Sequence, residues 1–355
     1  MPTTPTDSPL ITTIIPTYRR PALLRRAIES ALAQEGPPSE IRVYDNASGD
    51  ATRDMVGAMA RENPRVKYHC HPENIGGFAN FQYALNNVNT PLFSLLSDDD
   101  ILLPGFYAKA YADLGHNPSA KLWAGVTVRM NVAGRVYDAH VERWPREGLY
   151  SGMEGLSFMA GGYAPVWTGV LVSRDVMSNV GGLDPAVGSA SDLDWLLRIT
   201  ARYPFFVSRQ PVAILTQHPD SFSENAPFSS IWPGWLKMIE NALAVDTLTN
   251  DERQVLSSLL HKFGKKVTFR HAANALAKGN YAYAHEAAQV QKEFFNDRYC
   301  AGLLHGLSHF CSHARVAQAA YSFLYNSGVA LTLRQRHRLQ KRYGHLARYL
   351  ATNVV

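Results

Sequence analysis

Three consecutive carboxylates, Asp98, Asp99 and Asp100, follow Ser97 at the end of the apolar run 92–96. Adjacent like charges repel unless a cation sits among them, and hard oxygen donors of this kind suit Mg²⁺ or Mn²⁺. A metal held there could in turn hold a diphosphate. The same run also reads as a solvated turn that caps the next helix. Further polar groups close earlier apolar runs: Pro16-Thr17-Tyr18-Arg19-Arg20, Asp45-Asn46-Ala47-Ser48-Gly49-Asp50, and Glu73-Asn74-Ile75-Gly76-Gly77 with Asn80 just beyond. An acidic pair, Asp192 and Asp194, and a histidine, His218, come much later in the chain.

The elements that must position these groups alternate. Strands are expected at 10–15, 41–44, 66–70 and 92–96, with helices at 21–33, 52–61 and 78–87 between them. That order is the signature of an α/β layer with a largely parallel sheet, and an open sheet of this kind gathers ligands at the carboxyl ends of its strands. The four polar groups fall at those ends. Beyond Asp100 the pattern loosens into a hairpin of 123–128 and 132–137 around Ala133-Gly134, a strand at 166–172, a helix at 192–203, and strands at 205–207 and 212–216. Mixed strand directions are expected there. The Pro-rich segment 219–233 reads as a linker, and the chain after about Trp235 reads as helix.

Length and composition bound the class. A chain of 355 residues favours two domains, and 46% hydrophobic with 18% charged residues excludes intrinsic disorder. Cys70, Cys300 and Cys311 form no C-x-x-C pair, which argues against a disulfide framework or a thiolate zinc site and fits a reducing, cytoplasmic setting. No apolar stretch is long enough to span a bilayer, and the early run 10–15 is no signal peptide. Of 35 Lys and Arg, eight lie after Asp297, whereas none of the 30 Asp and Glu do. The basicity therefore belongs to the tail, where Leu339, Tyr343, Leu346 and Leu350 recur at helical spacing among Arg338, Lys341, Arg342 and Arg348. Such a helix either packs on the protein or docks on anionic lipid at the inner face of a membrane. The basic residues lack interleaved aromatic platforms, so nucleic acid is not an expected partner.

No G-x-G-x-x-G follows the first strand and no P-loop occurs, which leaves a divalent cation as the natural means of binding a nucleoside diphosphate. Taken in order, the motifs resemble the inverting family-two glycosyltransferases, which have the GT-A fold. Ile14-Ile15-Pro16-Thr17-Tyr18 with Arg20 resembles that family's opening strand and loop, and the stretch from Asp45 to Thr52 its D-x-x-S-x-D-x-T loop. Asn74-Ile75-Gly76 with Asn80 fits the pattern. The Ser97 to Leu102 stretch followed by Pro104 resembles the D-x-D element, Gly181-Gly182-Leu183-Asp184 with Ser191 to Arg198 the segment of the catalytic base, and His218-Pro219-Asp220-Ser221-Phe222-Ser223 the closing H-x-x-S-x-S. The family's first D-x-D carboxylate falls on Ser97 or Asp98, with Asp99 in place under either alignment. Ser191 stands where the base motif carries Glu.

The resemblance implies an α/β GT-A catalytic domain over residues 1–223, its mixed, mostly parallel sheet flanked by helices. A linker at 224–234 and a helical C-terminal domain at 235–355 would follow. It implies transfer of a sugar from a UDP or dTDP type donor to a hydroxyl of a glycan or lipid-linked saccharide, as in polysaccharide biosynthesis. Asp192 would be the catalytic base and Asp194 structural. Asp99, Asp100 and His218 would hold Mn²⁺ or Mg²⁺, and Pro16, Thr17, Tyr18, Arg20, Asp45, Asn74, Asn80 and Asp98 would line the donor pocket, Asp45 facing the imide of uracil or thymine. An anionic membrane surface and a second copy through the helical domain are the further partners considered. A metal-dependent nucleotidyltransferase and a non-catalytic nucleotide-sugar-binding scaffold are the competing classes.

Overall fold

The computed structural model describes residues 8–217, 227–331 and 333–350. Among these, β1 (Ile11–Thr17), β2 (Ser39–Asp45), β3 (Val66–Cys70) and β4 (Leu92–Leu95) run parallel in the order β3-β2-β1-β4, joined by α1 (Pro21–Leu32), α2 (Thr52–Glu62) and α3 (Gly77–Asn86). Every residue of β1 except Pro16 is buried, as a central parallel strand covered on both faces requires. Alternation sorts its side chains: Ile11 and Ile15 meet α1, α2 and α4 (Phe106–His116), whereas Ile14 joins the core beneath α3, α5 (Gly152–Phe158) and α7 (Ser191–Arg202).

The sheet continues past β4 through β9 (Val170–Ser173), β6 (Leu122–Asn131), β10 (Phe205–Gln217) and β5 (Ile101–Leu102). β9 is antiparallel to both β4 and β6, so strand directions are mixed in this half, and β7 (Val136–His140) and β8 (Gly148–Tyr150) pair at its margins. The strand expected at 166–172 starts only at Val170. Before it, Trp167–Gly169 forms a 3-10 turn in which Gly169 lies so close to Thr127 that a Cβ would stand 2.1 Å from its hydroxyl. The two strands expected at 205–207 and 212–216 are one, bent where the register shifts around Pro211, whose missing N–H cannot join the ladder.

Helix α8 (Phe228–Leu243) begins inside the segment expected as a linker and contains Pro233. Its close approach explains Gly234, where a Cβ would stand 2.1 Å from the Val187 carbonyl oxygen. Helix α9 (Asn250–Ala277) opens with a complete Thr249/Glu252 capping box and, at 28 residues, extends about 42 Å. Leu256 and Leu260 near its start belong to the sheet's core, whereas Ala272 and Leu276 near its end pack with α10 (Tyr281–Glu293) and α11 (Arg298–His313). Helix α12 (Arg315–Leu331) follows and returns to α9 through the Tyr321 hydroxyl, which donates to the Ala273 carbonyl.

The basic tail does not offer its apolar stripe to lipid. Leu339 and Tyr343 of α13 (Leu333–Tyr343), with Leu346 and Leu350 beyond it, are at most 8% exposed and join the core of the sheet domain. Gln340 fastens the helix by accepting from the Val136 N–H and donating to the Gly134 carbonyl at the β6–β7 hairpin. The packed alternative is the one the structure adopts. No helix among the described residues is long and apolar enough to cross a membrane.

Candidate active site

The carboxyl ends of β1, β2 and β4 interlock. Arg19, after β1, is held at a φ of 56° by its N–H to the Ser48 hydroxyl and its Nε to the Ser48 carbonyl, and Ala47 beyond β2 has a φ of 58°. Two non-glycine residues in the left-handed region of touching loops mark backbone held in place by its surroundings. The Arg19 guanidinium lies 4.9 Å from the centre of the Tyr18 ring, which is 37% exposed beside Pro16 and Thr17.

The three acidic residues after β4 face different ways. Asp98 is buried, accepts the Thr17 hydroxyl at 2.8 Å and meets Arg20 at 3.3 Å; burial pushes its carboxyl up to about 6. Asp99 is partly exposed and meets the same Arg20 nitrogen at 3.0 Å, while its backbone carbonyl accepts Arg26 at 2.7 Å. Asp100 turns inward, accepting the Thr168 hydroxyl at 2.6 Å and the Thr216 N–H at 2.9 Å. Burial first, then the neighbouring Asp99, pushes its carboxyl up to about 8. The run is thus no solvated turn. Asp98 and Asp99 flank a cation already, the Arg20 guanidinium, and that donor set suits a divalent metal. Among the described residues, however, no three carboxylate, imidazole or thiolate groups converge on one point. Asp100, expected as a metal ligand, is committed to Thr168 and Thr216, and His218 lies outside the described residues.

At the end of β2, Asp45 is buried with one carboxylate oxygen accepting the N–H and hydroxyl of Ser48, at 2.9 and 2.6 Å, and the other accepting the Tyr68 hydroxyl at 2.5 Å. Asn74 is exposed, and its side-chain oxygen accepts from Asn46 and the Gly76 N–H. Asn80, expected against the donor, is an internal brace. It is 1% exposed, donates to the Tyr44 carbonyl and pairs with His71, tying α3 to β2 and the β3–α3 loop. Asp50 caps its own turn through the Thr52 N–H.

Asp192 and Asp194 stand in the first turn of α7. Burial raises the Asp192 carboxyl above its ordinary range, and the hydrogen bond found for it comes from the adjacent Leu193 N–H. Asp194 is fully buried against Arg198 at 2.8 Å and Asn241 at 3.0 Å, and Arg198 also holds the Val180 and Gly182 carbonyls. One turn of α3 links the two halves: Phe81 stacks on Trp167, next to Thr168, and Gln82 accepts the Leu183 N–H in the loop that leads to α7. Arg26, Thr168 and Thr216 escaped the sequence reading. Each is distant from Asp98–Asp100 in the chain, and only the folded sheet brings them together. A cavity of about 590 Å³ lined by Asn86, Arg174 and Gly182 lies toward the opposite, amino end of β4, where Arg174 bonds the Pro91 carbonyl.

A parallel-to-mixed sheet with acidic residues after its fourth strand, gripped by Thr17 at the end of the first strand and Arg20 just beyond it, defines a GT-A-type domain. Residues 12–171 match the family described as Glycosyl transferase family 2. A GalNAc(5)-diNAcBac-PP-undecaprenol beta-1,3-glucosyltransferase of Campylobacter jejuni is 33% identical over 98 residues, 27% of this chain and 32% of that one. The chain spans about a third or less of the length of such curated relatives. In fold it is similar to S. aureus TarS 1-349, solved in complex with UDP-GlcNAc, at a TM-score of 0.63 and 14% identity over 92% of this chain and 91% of that one. The mannosyltransferase PcManGT of Pyrobaculum calidifontis, solved with GDP-Man and Mn²⁺, aligns at 0.54 and 16% identity over 97% and 86%.

Proposed function

We propose that the chain is an inverting glycosyltransferase that moves a sugar from a UDP or dTDP type donor to a hydroxyl of a glycan or lipid-linked saccharide, with residues 1–223 as its catalytic domain. The observation that carries this reading is the pairing of Asp98 and Asp99 with Thr17 and Arg20 at adjoining strand ends. Solved neighbours that hold UDP-GlcNAc, and GDP-Man with Mn²⁺, support a nucleotide-sugar donor.

Asp99, beside Asp98, would hold Mn²⁺ or Mg²⁺, which when bound supplies Lewis-acid neutralisation of the departing diphosphate. Asp100 keeps the turn rigid from below. Tyr18 and the Asp45 end of β2 would receive the base, with Asp45's remaining acceptor capacity toward an imide N–H. Asp192 takes the proton of the acceptor hydroxyl as that oxygen attacks the anomeric carbon. The bond to the diphosphate breaks with its electron pair leaving on the phosphate oxygen. Attack opposite the leaving group inverts the anomeric centre. Burial raises both carboxyls, but Asp194 is held by Arg198 and Asn241, whereas the hydrogen bond found for Asp192 comes from its neighbour's N–H, which suits Asp192 to this task.

The test is product analysis with a panel of nucleotide sugars, Mn²⁺ and a lipid-linked saccharide acceptor. Free nucleoside diphosphate without pyrophosphate is expected; pyrophosphate would indicate nucleotidyl transfer, and donor binding without turnover a non-catalytic scaffold.

A further inference from the structure

With the tail's apolar residues enclosed, a different part of the C-terminal half is left uncovered. On α11, Tyr299 is 81% exposed, Leu303 42% and Phe310 65%; on α12, Val316 is 82%, Phe323 72% and Leu324 68% exposed. At 100° per residue, Tyr299, Leu303 and Phe310 form one stripe with Gly302 and Gly306, opposite the buried Ala301, Leu304 and Ser308. Val316, Phe323 and Leu324 likewise lie opposite Gln318, Tyr321 and Ser322, which bond α9 carbonyls. Both stripes therefore turn away from α9. Soluble surfaces scatter such side chains singly, and two such stripes on adjacent helices mark a contact.

The geometry points to an anionic lipid surface as what this face receives, with Tyr299, Phe310, Val316, Phe323 and Leu324 entering the headgroup layer. Charge selects that occupant. From Arg298 to the chain end there are eight Lys and Arg and no Asp or Glu, while residues 1–297 carry 27 cations against 30 acids. Arg298 and Arg315 open the two helices that bear the stripes, and Arg338, Lys341 and Arg348 on and after α13 are exposed, while Arg342 pairs with Glu142. Two copies meeting through this face would set cation against cation without a carboxylate from the same segment to offset them. An anionic leaflet complements it, and aromatic rings with flanking Arg are the chemistry of an interfacial anchor. This inference is separate from sugar transfer and is read without it.

The experiment is sedimentation of the full chain with vesicles of phosphatidylcholine alone or mixed equally with phosphatidylglycerol, at low and high salt. The protein should pellet with the anionic vesicles, less so at high salt, and remain in solution with the neutral ones. Phe310→Ser/Phe323→Ser/Leu324→Ser should weaken partitioning by at least about tenfold with the melting temperature unchanged, because exposed apolar groups are removed without opening the core. Tyr299→Ser/Val316→Ser, at the two most exposed positions, repeats the test should the triple variant melt early. Failure of the parent to pellet with anionic vesicles, or equal pelleting of parent and folded variants, overturns the inference. So does a parent dimer in equilibrium sedimentation that the substitutions dissociate, which would give the face to a second copy.

Discussion

Asp99 and Asp100 are adjacent in the chain and opposite in setting, one partly open beside Arg20 and one enclosed by Thr168 and Thr216. Asp99→Asn should abolish turnover and remove the Mn²⁺-dependent part of nucleoside diphosphate affinity, measured calorimetrically with and without chelator; equal affinity in both conditions would contradict the assignment. Asp100→Asn should be far milder, since an amide can still accept from the Thr216 N–H and donate to Thr168. Because the folded chain raises Asp100 from 3.8 to about 8, it binds a proton that the unfolded chain has released. That contribution to stability is present at acid pH and lost as pH rises through the window from about 4 to about 8. The variant should accordingly show a smaller fall in melting temperature between pH 5 and pH 8 than the parent. Asp192→Asn should leave donor binding intact and lower kcat by about 10²- to 10⁴-fold. A base must be ionised to act, so the parent's rate should rise with pH along a limb displaced above the ordinary carboxylate range, in the direction its burial sets. Asp194→Asn as the more damaging change for kcat at intact stability would reverse the two roles.

At the scale of elements, β1 to β4 and α1 to α3 were legible because continuous apolar runs and helical periodicity coincide with their observed spans. The strand-end position of the polar groups followed from that order alone. Less legible was anything set by tertiary approach: the 3-10 turn at Trp167 forced by Gly169 against Thr127, the continuity of β10 through Pro211, and the start of α8 before Pro233. Proline is a local signal for breaking structure, and burial of Phe228, Met238 and Ile239 outweighs it in α8. Gly234→Ala tests this packing. Its Cβ would meet a backbone carbonyl that cannot rotate aside, so a loss of about 1–3 kcal/mol is expected in denaturant unfolding, and an unchanged midpoint would show that α8 does not press on Val187. Within the site, Thr17, Arg20 and Asp98 were readable as neighbours of strand ends, whereas the inward turn of Asp100 and Asn80 required knowing which partners the sheet brings to them.

Among the described residues, the C-terminal half is joined to the sheet domain through α8 and α9 and again through α13 on the β6–β7 hairpin. The tail's charge was plain in the sequence, but periodicity could not tell whether its apolar stripe met protein or lipid. Deleting residues after Gly328 should lower the melting temperature, because Leu339, Tyr343, Leu346 and Leu350 leave the core; a truncated chain of unaltered stability would contradict their packing. In the proposed function, Asp98, Asp99 and Asp192 serve inverting transfer from an activated sugar. The measurement that meets it most directly is proton NMR of the anomeric signal while the chain, Mn²⁺, an α-linked nucleoside diphosphate sugar and an acceptor react. A β-configured first product, absent with Asp192→Asn, is the result predicted; an α-configured product, or an unreduced rate of transfer by that variant, would contradict it.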